Sequence, residues 1–318
     1  MSFYQKFSQK SIILHNHQQP LREITYFLPK KRYNILVNIH IFMEKKMGFK
    51  KQLSISLLTI GVTLGGVSAC SSTTDTGAIG VNRKQMLMVS SDEVLKISNQ
   101  SYLKTLQEAR KDGVLDTNPA QLQRLKTIAN RLIAQTGAYR PDAKNWQWEV
   151  HTIKSNEINA YVMPGGKIVF YTGIIDKLKL TDAEIAAIMG HEMAHALREH
   201  SRERMSRQVA TQTAIGLGAA VLGLSSGQAQ LAGLAGDVGL SLPNSRTQET
   251  EADLMGLELM ARAGYDPNGA ISLWQKMQKA GGSGMPQFLS THPVSTTRIA
   301  SIQAMMPKVM PLYNQAKR

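Results

Sequence analysis

The chain has a single cysteine, Cys70, among its 318 residues. One thiol excludes an intrachain disulfide, a cysteine-cluster zinc or iron–sulfur site and a thioredoxin-like dithiol. Aromatics are also scarce at 6 %, and charged residues make up only 19 %. Yet 42 % of the chain is apolar, enough to bury a core, so wholesale disorder is excluded. No internal repeat is visible, and no apolar run reaches the ~20 residues that a membrane-spanning helix needs. Acidic residues number 23 against 37 Lys and Arg, a net charge of +14. That excess invites a nucleic-acid reading, but its placement argues against one. Residues 1–69 carry ten basic and two acidic side chains, so the rest of the chain is only mildly basic. No nucleic-acid partner is expected.

The amino-terminal region reads as an address. From Met43, the lysines Lys45, Lys46, Lys50 and Lys51 precede an uncharged stretch from Leu53 to Val67. Ser68 and Ala69 then lead into Cys70. This is the layout of a secretory signal. The V-S-A-C ending resembles the bacterial lipobox, whose cysteine is acylated and becomes the mature terminus. Lipidation is therefore expected at Cys70, giving a membrane partner through a lipid anchor. Ser71 and Ser72 follow without the aspartate that favours inner-membrane retention, so outer-membrane attachment facing the periplasm is expected. Residues 1–42 fit no signal and read as a mis-assigned upstream extension. Residues 43–69 read as the signal peptide, 70–91 as a flexible tether, and 92–318 as the catalytic domain.

Within that domain helical patterns flank strand patterns, an α+β arrangement. A helix is expected over Asp92–Arg110, and a second begins at Asn118-Pro119 and stops by Gly137. Trp146, Trp148 and Val150 alternate with polar residues as a strand does. Ile158–Met163 and Lys167–Tyr171 read as two more strands joined by Pro164-Gly165-Gly166. The Ala/Gly/Leu-rich stretch 209–241 reads as a buried or groove-facing helix pair rather than a span. Asp266-Pro267 and Pro293 each precede a further helix.

Thr181 and Glu184 form a capping-box pattern that starts a helix carrying His191-Glu192-Met193-Ala194-His195. A spacing of four places both imidazoles on one face, one turn apart, as two adjacent ligands of one Zn2+ require. Glu192, between them, is placed to take a proton from a zinc-bound water. Such a zinc needs a third protein ligand. In SRTQETEAD, Glu249 and Asp253 share a helix face, so Glu249 can ligate and Asp253 can orient a ligand imidazole. Glu251 projects away from Glu249. His200, nine residues after His191, points off the ligand face and reads as solvated or as supporting a ligand. His151 reads as core or surface. His292 has three readings: an oxyanion donor, an occupant of the open metal position that keeps the enzyme latent, or a structural loop residue. Arg298 reads as a tie for that loop.

HEMAH followed by SRTQETEAD resembles the zinc endopeptidases of the CAAX-prenyl-protease type, metallopeptidase family forty-eight. These gluzincins include the HtpX and Oma-type quality-control proteases. Asn159–Ile175 and Ser290–Ile299 extend the similarity. The resemblance implies a mostly helical zincin-like fold with a small β-sheet beside the HExxH helix. It implies His191, His195 and Glu249 as zinc ligands, Glu192 as general base and acid, and Asp253 as the motif aspartate. The implied function is clearance of misfolded or unassembled envelope proteins. The competing expectation is a non-catalytic chaperone or outer-membrane assembly factor that retains zinc, for which an intact Glu192 has no use.

Overall fold

The computed structural model describes residues 70–221, 244–281, 286–293 and 295–317. The expected upstream extension and signal peptide lie outside these residues, as does the part of the Ala/Gly/Leu-rich stretch from 222 to 241.

Helices dominate, with one three-stranded sheet among them. Two short strands, β1 (Cys70–Ser71) and β2 (Gln85–Met86), pair antiparallel. Helices α1 (Ser91–Lys111) and α2 (Pro119–Ile133) follow. The sheet comprises β3 (Glu149–Ile153), β4 (Ala160–Met163) and β5 (Lys167–Tyr171), in the order β3-β5-β4. Beyond it come α3 (Thr172–Leu178), α4 (Asp182–Leu197), α5 (His200–Val221), α6 (Arg246–Arg262), α7 (Asn268–Ala280), α8 (Gln287–Thr291) and α9 (Thr296–Ala316). No described helix is long and apolar enough to cross a membrane.

Local chemistry accounts for most element ends. Ser90 caps α1 by accepting from Glu93 N, and Asn118 caps α2 by accepting from Gln121 N. Such caps are worth about 1 kcal/mol each. The second helix stops at Ile133, before Gly137, which lies in a 3-10 turn over Thr136–Ala138. β4 and β5 pair antiparallel from Ala160↔Phe170 to Met163↔Lys167. Gly165 and Gly166 close the hairpin at φ +85°, a region that a side chain would strain. β4 is one of the two edges of the sheet, and among the described residues no strand pairs with its outer side.

Two expectations are corrected. Trp146 and Trp148 are not in a strand; pairing with β5 begins at Glu149. The two indoles instead stack 5.6 Å apart, and Trp148 Nε1 donates to Ala143 O, which holds them in a turn. The stretch 71–91 is not a free tether. It lies against the domain as a strap, with Ile79 and Val81 buried in the main core. Burying an aliphatic side chain of that size contributes about 1.5–3 kcal/mol. Ala78 N and Ile79 N donate to the Glu258 carboxylate on α6, and Asp75 N donates to Tyr139 O. Polar composition disguised a segment in which Ile79 and Val81 reach the core, while Met88 stays exposed.

The centre of the molecule is α4. Thr181 and Glu184 complete the capping box, and every residue from Glu184 to Leu197 is buried. α4 crosses α6 at two glycines. A Cβ on Gly256 would lie 2.6 Å from His191 N, and one on Gly190 would lie 2.9 Å from Gly256 O. The backbones therefore touch beside His191, bringing the acidic face of α6 up to the histidine face of α4.

Candidate metal centre

His191 and His195 project from α4 as their spacing predicts, with Nε2 atoms 3.1 Å apart. Glu249, in the first turn of α6, meets both: Oε2 lies 3.5 Å from His191 Nε2 and Oε1 lies 3.3 Å from His195 Nε2. His292, just after α8, places Nδ1 2.9 Å from Glu249 Oε1 and 3.2 Å from His191 Nε2. One atom from each of these four residues lies within 4.8 Å of the others, and all four residues are buried. Glu192 stands at the rim, Oε1 3.9 Å from His191 Nε2 and 3.3 Å from His292 Nε2.

The donor set is one that a metal cation fits. Two imidazole nitrogens facing each other at 3.1 Å are both electron-rich unless a proton or a cation stands between them. Buried Glu192 Oε1 and Glu249 Oε2 accept no aligned hydrogen bond, although Arg298 Nη1 makes an ion contact with the latter at 2.7 Å. An orphaned buried carboxylate oxygen such as Glu192 Oε1 is costly without a cation nearby. Nitrogen and carboxylate donors in this mixture suit one zinc ion.

The ionisation balance agrees. Burial disfavours charge on His191, but bonds to Asp253 and Glu249 outweigh it and hold its pKa at about 9. Burial pushes His195 well below the usual histidine range, leaving the neutral ring that a ligand must be. Burial also raises the Glu192 carboxyl above its ordinary value. Burial opposes charge on Glu249 too, yet the neighbouring His292 and His191 hold it well below the usual carboxylate range.

The remaining expected residues converge as well. Asp253 Oδ1 lies 3.0 Å from His191 Nδ1 and receives Arg298 Nη2 at 2.7 Å, while Oδ2 receives Arg298 Nε at 2.6 Å. Arg298 Nη1 also donates to Pro293 O, the loop tie expected of it. Arg298 therefore touches the loop, the motif aspartate and Glu249 together. The side chain of Cys70 lies outside what the structure describes.

Three residues were underrated by spacing alone. His200 is fully buried, and its Nδ1 lies 2.8 Å from His195 Nδ1. Helical arithmetic turned it away, but the helix breaks at Glu199, whose φ of +51° reverses the chain. Glu251 does face away from the donor set, as expected, but onto His200 Nε2 at 3.0 Å. Arg83 of the strap clamps Glu251 from outside. The left-handed residue has no compositional signal. The sequence left His200 as solvated or supporting a ligand and turned Glu251 away from Glu249; the structure joins the two behind His195.

A groove of about 400 Å³ opens onto this centre, with β4 along one wall and Glu192, His195 and His292 facing it. Arg204 and Asn244 bond each other on its flank. Larger clefts of about 650 and 880 Å³ lie elsewhere, without a metal-ligating cluster among the described residues.

Comparison with known proteins agrees with this arrangement. The model for peptidase family M48 matches residues 119–306. The mitochondrial metalloendopeptidase OMA1 of Schizosaccharomyces pombe is 35 % identical over 229 residues, covering 71 % of this chain and 65 % of that protein. OMA1 of Saccharomyces cerevisiae is 30 % identical over 249 residues, covering 74 % of this chain and 70 % of its own. The beta-barrel assembly-enhancing protease of Escherichia coli is 25 % identical over 220 residues, 66 % of this chain but only 44 % of that protein. The chain thus spans between under half and about two thirds of these relatives' lengths. It belongs to peptidase family M48 and carries the fold and zinc-type donor set of a metallopeptidase.

Proposed function

We propose that this chain is a zinc-dependent endopeptidase that hydrolyses peptide bonds in misfolded or unassembled cell-envelope proteins. The observation that carries the reading is the buried Glu192 carboxylate beside the convergent donors of His191, His195 and Glu249, at the floor of a groove walled by an edge strand. His191, His195 and Glu249 would hold the ion. Zinc, when bound, supplies Lewis acidity to a water and to the scissile carbonyl.

The chain's own residues do the rest. The open edge of β4 pairs with an extended substrate by strand addition, which favours unfolded or exposed segments over compact ones. Glu192 accepts a proton at its carboxylate during attack and returns it to the leaving amine. Asp253, clamped by Arg298, fixes the ring plane of His191 and increases its basicity. His292 supports the latent reading best, because its Nδ1 joins the donor set at 2.9 Å from Glu249. Water and substrate need that place, so the resting form is self-blocked until the loop after α8 moves.

The lipobox-like ending at Cys70 supports attachment to a bacterial envelope membrane, on the periplasmic side of the outer membrane. The relatives named for beta-barrel assembly are consistent with that compartment. The OMA1 relatives are mitochondrial by name, so the compartment rests on the amino-terminal signal.

Casein degradation by the zinc-loaded protein, beside a chelator control, tests the reading. Glu192→Gln should cut turnover at least 10²–10⁴-fold, the range for a lost general base, while zinc binding stays stoichiometric. His292→Ala should raise turnover. Turnover unchanged in Glu192→Gln would return the zinc-retaining chaperone to first place.

A further inference from the structure

A second cluster of buried charge sits on the side of His195 away from the donor set. Arg83 of the strap donates from Nε to Glu251 Oε1 at 2.8 Å and from Nη2 to Glu251 Oε2 at 2.9 Å. The same guanidinium reaches Glu203 with Nη1 at 2.6 Å and Nη2 at 2.8 Å. Glu203, Arg198 and His200 are fully buried. A forked guanidinium of this kind fixes the plane of each carboxylate it holds. Arg198 adds one longer bond to Glu251 Oε1 at 3.3 Å.

Proton counting gives the cluster a direction. A nitrogen that holds a metal carries no proton. His195 Nε2 faces the donor set, so a neutral His195 keeps its proton on Nδ1. His195 then donates to His200 Nδ1, 2.8 Å away, which must be bare. His200 consequently carries its proton on Nε2 and donates to Glu251 Oε2 at 3.0 Å. Every link determines the next, and the series ends on a carboxylate that only accepts.

We propose that Arg83 is a positioning residue of the metal centre: by clamping Glu251 it sets, through His200, the tautomer and ring plane of His195. The proposal rests on the reading of His195 as a metal ligand. Arg83 lies outside residues 119–306, the segment that matches the family model. The strap therefore supplies a support for the centre that the matched segment does not contain.

The full chain in detergent, stripped of metal, is titrated with zinc against a chromophoric chelator. Imidazole ¹⁵N–¹H spectra of the stripped protein report the His195 tautomer. Arg83→Ala and Glu251→Gln are compared with Arg207→Ala, whose exposed guanidinium also pairs with Glu203 but does not reach Glu251. Arg83→Ala should bind zinc more weakly, by up to about 10-fold. It should also mix the Nδ1–H and Nε2–H tautomers of His195, with Arg207→Ala unchanged in both respects. Wild-type affinity together with a single wild-type tautomer in Arg83→Ala would overturn the proposal. If Arg83→Ala does not fold, the near-isosteric Glu251→Gln is read by the same two criteria. His195→Ala separates the proposal from its premise: unaltered zinc binding there removes the ligand reading itself, whatever Arg83 does.

Discussion

The two facing imidazoles of α4 are supported from opposite ends of the chain, and by different chemistry. His191 Nδ1 meets a carboxylate directly: Asp253, held by Arg298 from the carboxy-terminal helix. His195 Nδ1 meets a second imidazole, His200, with Glu251 and the strap arginine Arg83 behind it. The ionisation of the two rings follows. With a carboxylate alongside, His191 is held at about 9, whereas His195 falls well below the usual range because burial is not offset to the same extent. A carboxylate-backed imidazole is the stronger donor to a cation. On the proposed ligand set the centre would be asymmetric, with His191 the stronger donor and His195 a weaker one oriented by a longer relay.

That asymmetry can be broken from either side. Asp253→Asn should have the largest effect. It removes the direct carboxylate and strands Arg298, and zinc affinity should drop about 10–100-fold in chelator competition. His200→Phe should cost less, about 10-fold at most, because a neutral acceptor polarises its neighbour less than a carboxylate does. The reverse order of these two losses would sink the comparison.

A smaller effect lies in acid stability. Burial would raise Glu203, but Arg83 and Gln248 outweigh it and hold its pKa at about 2, against an ordinary value of 4.5. A depressed carboxylate stabilises the fold fully above its unfolded value. That contribution disappears as pH falls from about 4.5 through 2. Glu203→Gln should thus lower stability at neutral pH and flatten its dependence on pH in that window, read as melting temperature against pH.

The His191 brace was largely legible in the sequence, and the His195 brace was not. Glu249 and Asp253 sit four apart on one helix, so their shared face follows from 3.6 residues per turn. The same arithmetic left His200 as either solvated or supporting a ligand, and only the break at Glu199, a single left-handed residue, decides for the support. Arg83 was hidden differently. The segment around it is rich in Ser, Thr and Gly, which reads as solvated chain, and only the docking of Ile79 and Val81 shows otherwise. His292 was visible as a candidate with three possible tasks, and its distance of 2.9 Å from Glu249 favours one.

The sequence by itself determined what depends on neighbours along the chain: the Thr181–Glu184 capping box, the HExxH face, the β4–β5 hairpin and the shared helix face of Glu249 and Asp253. Each is set by local backbone geometry with a fixed period. Only the tertiary structure decided which distant groups meet these. His292 comes from 101 residues beyond His191, and Arg83 from 168 residues before Glu251. Those meetings depend on helix crossings such as Gly190 on Gly256 and on the burial of a few apolar side chains in the strap. Packing of that kind is a property of the whole chain, with no period to read along it.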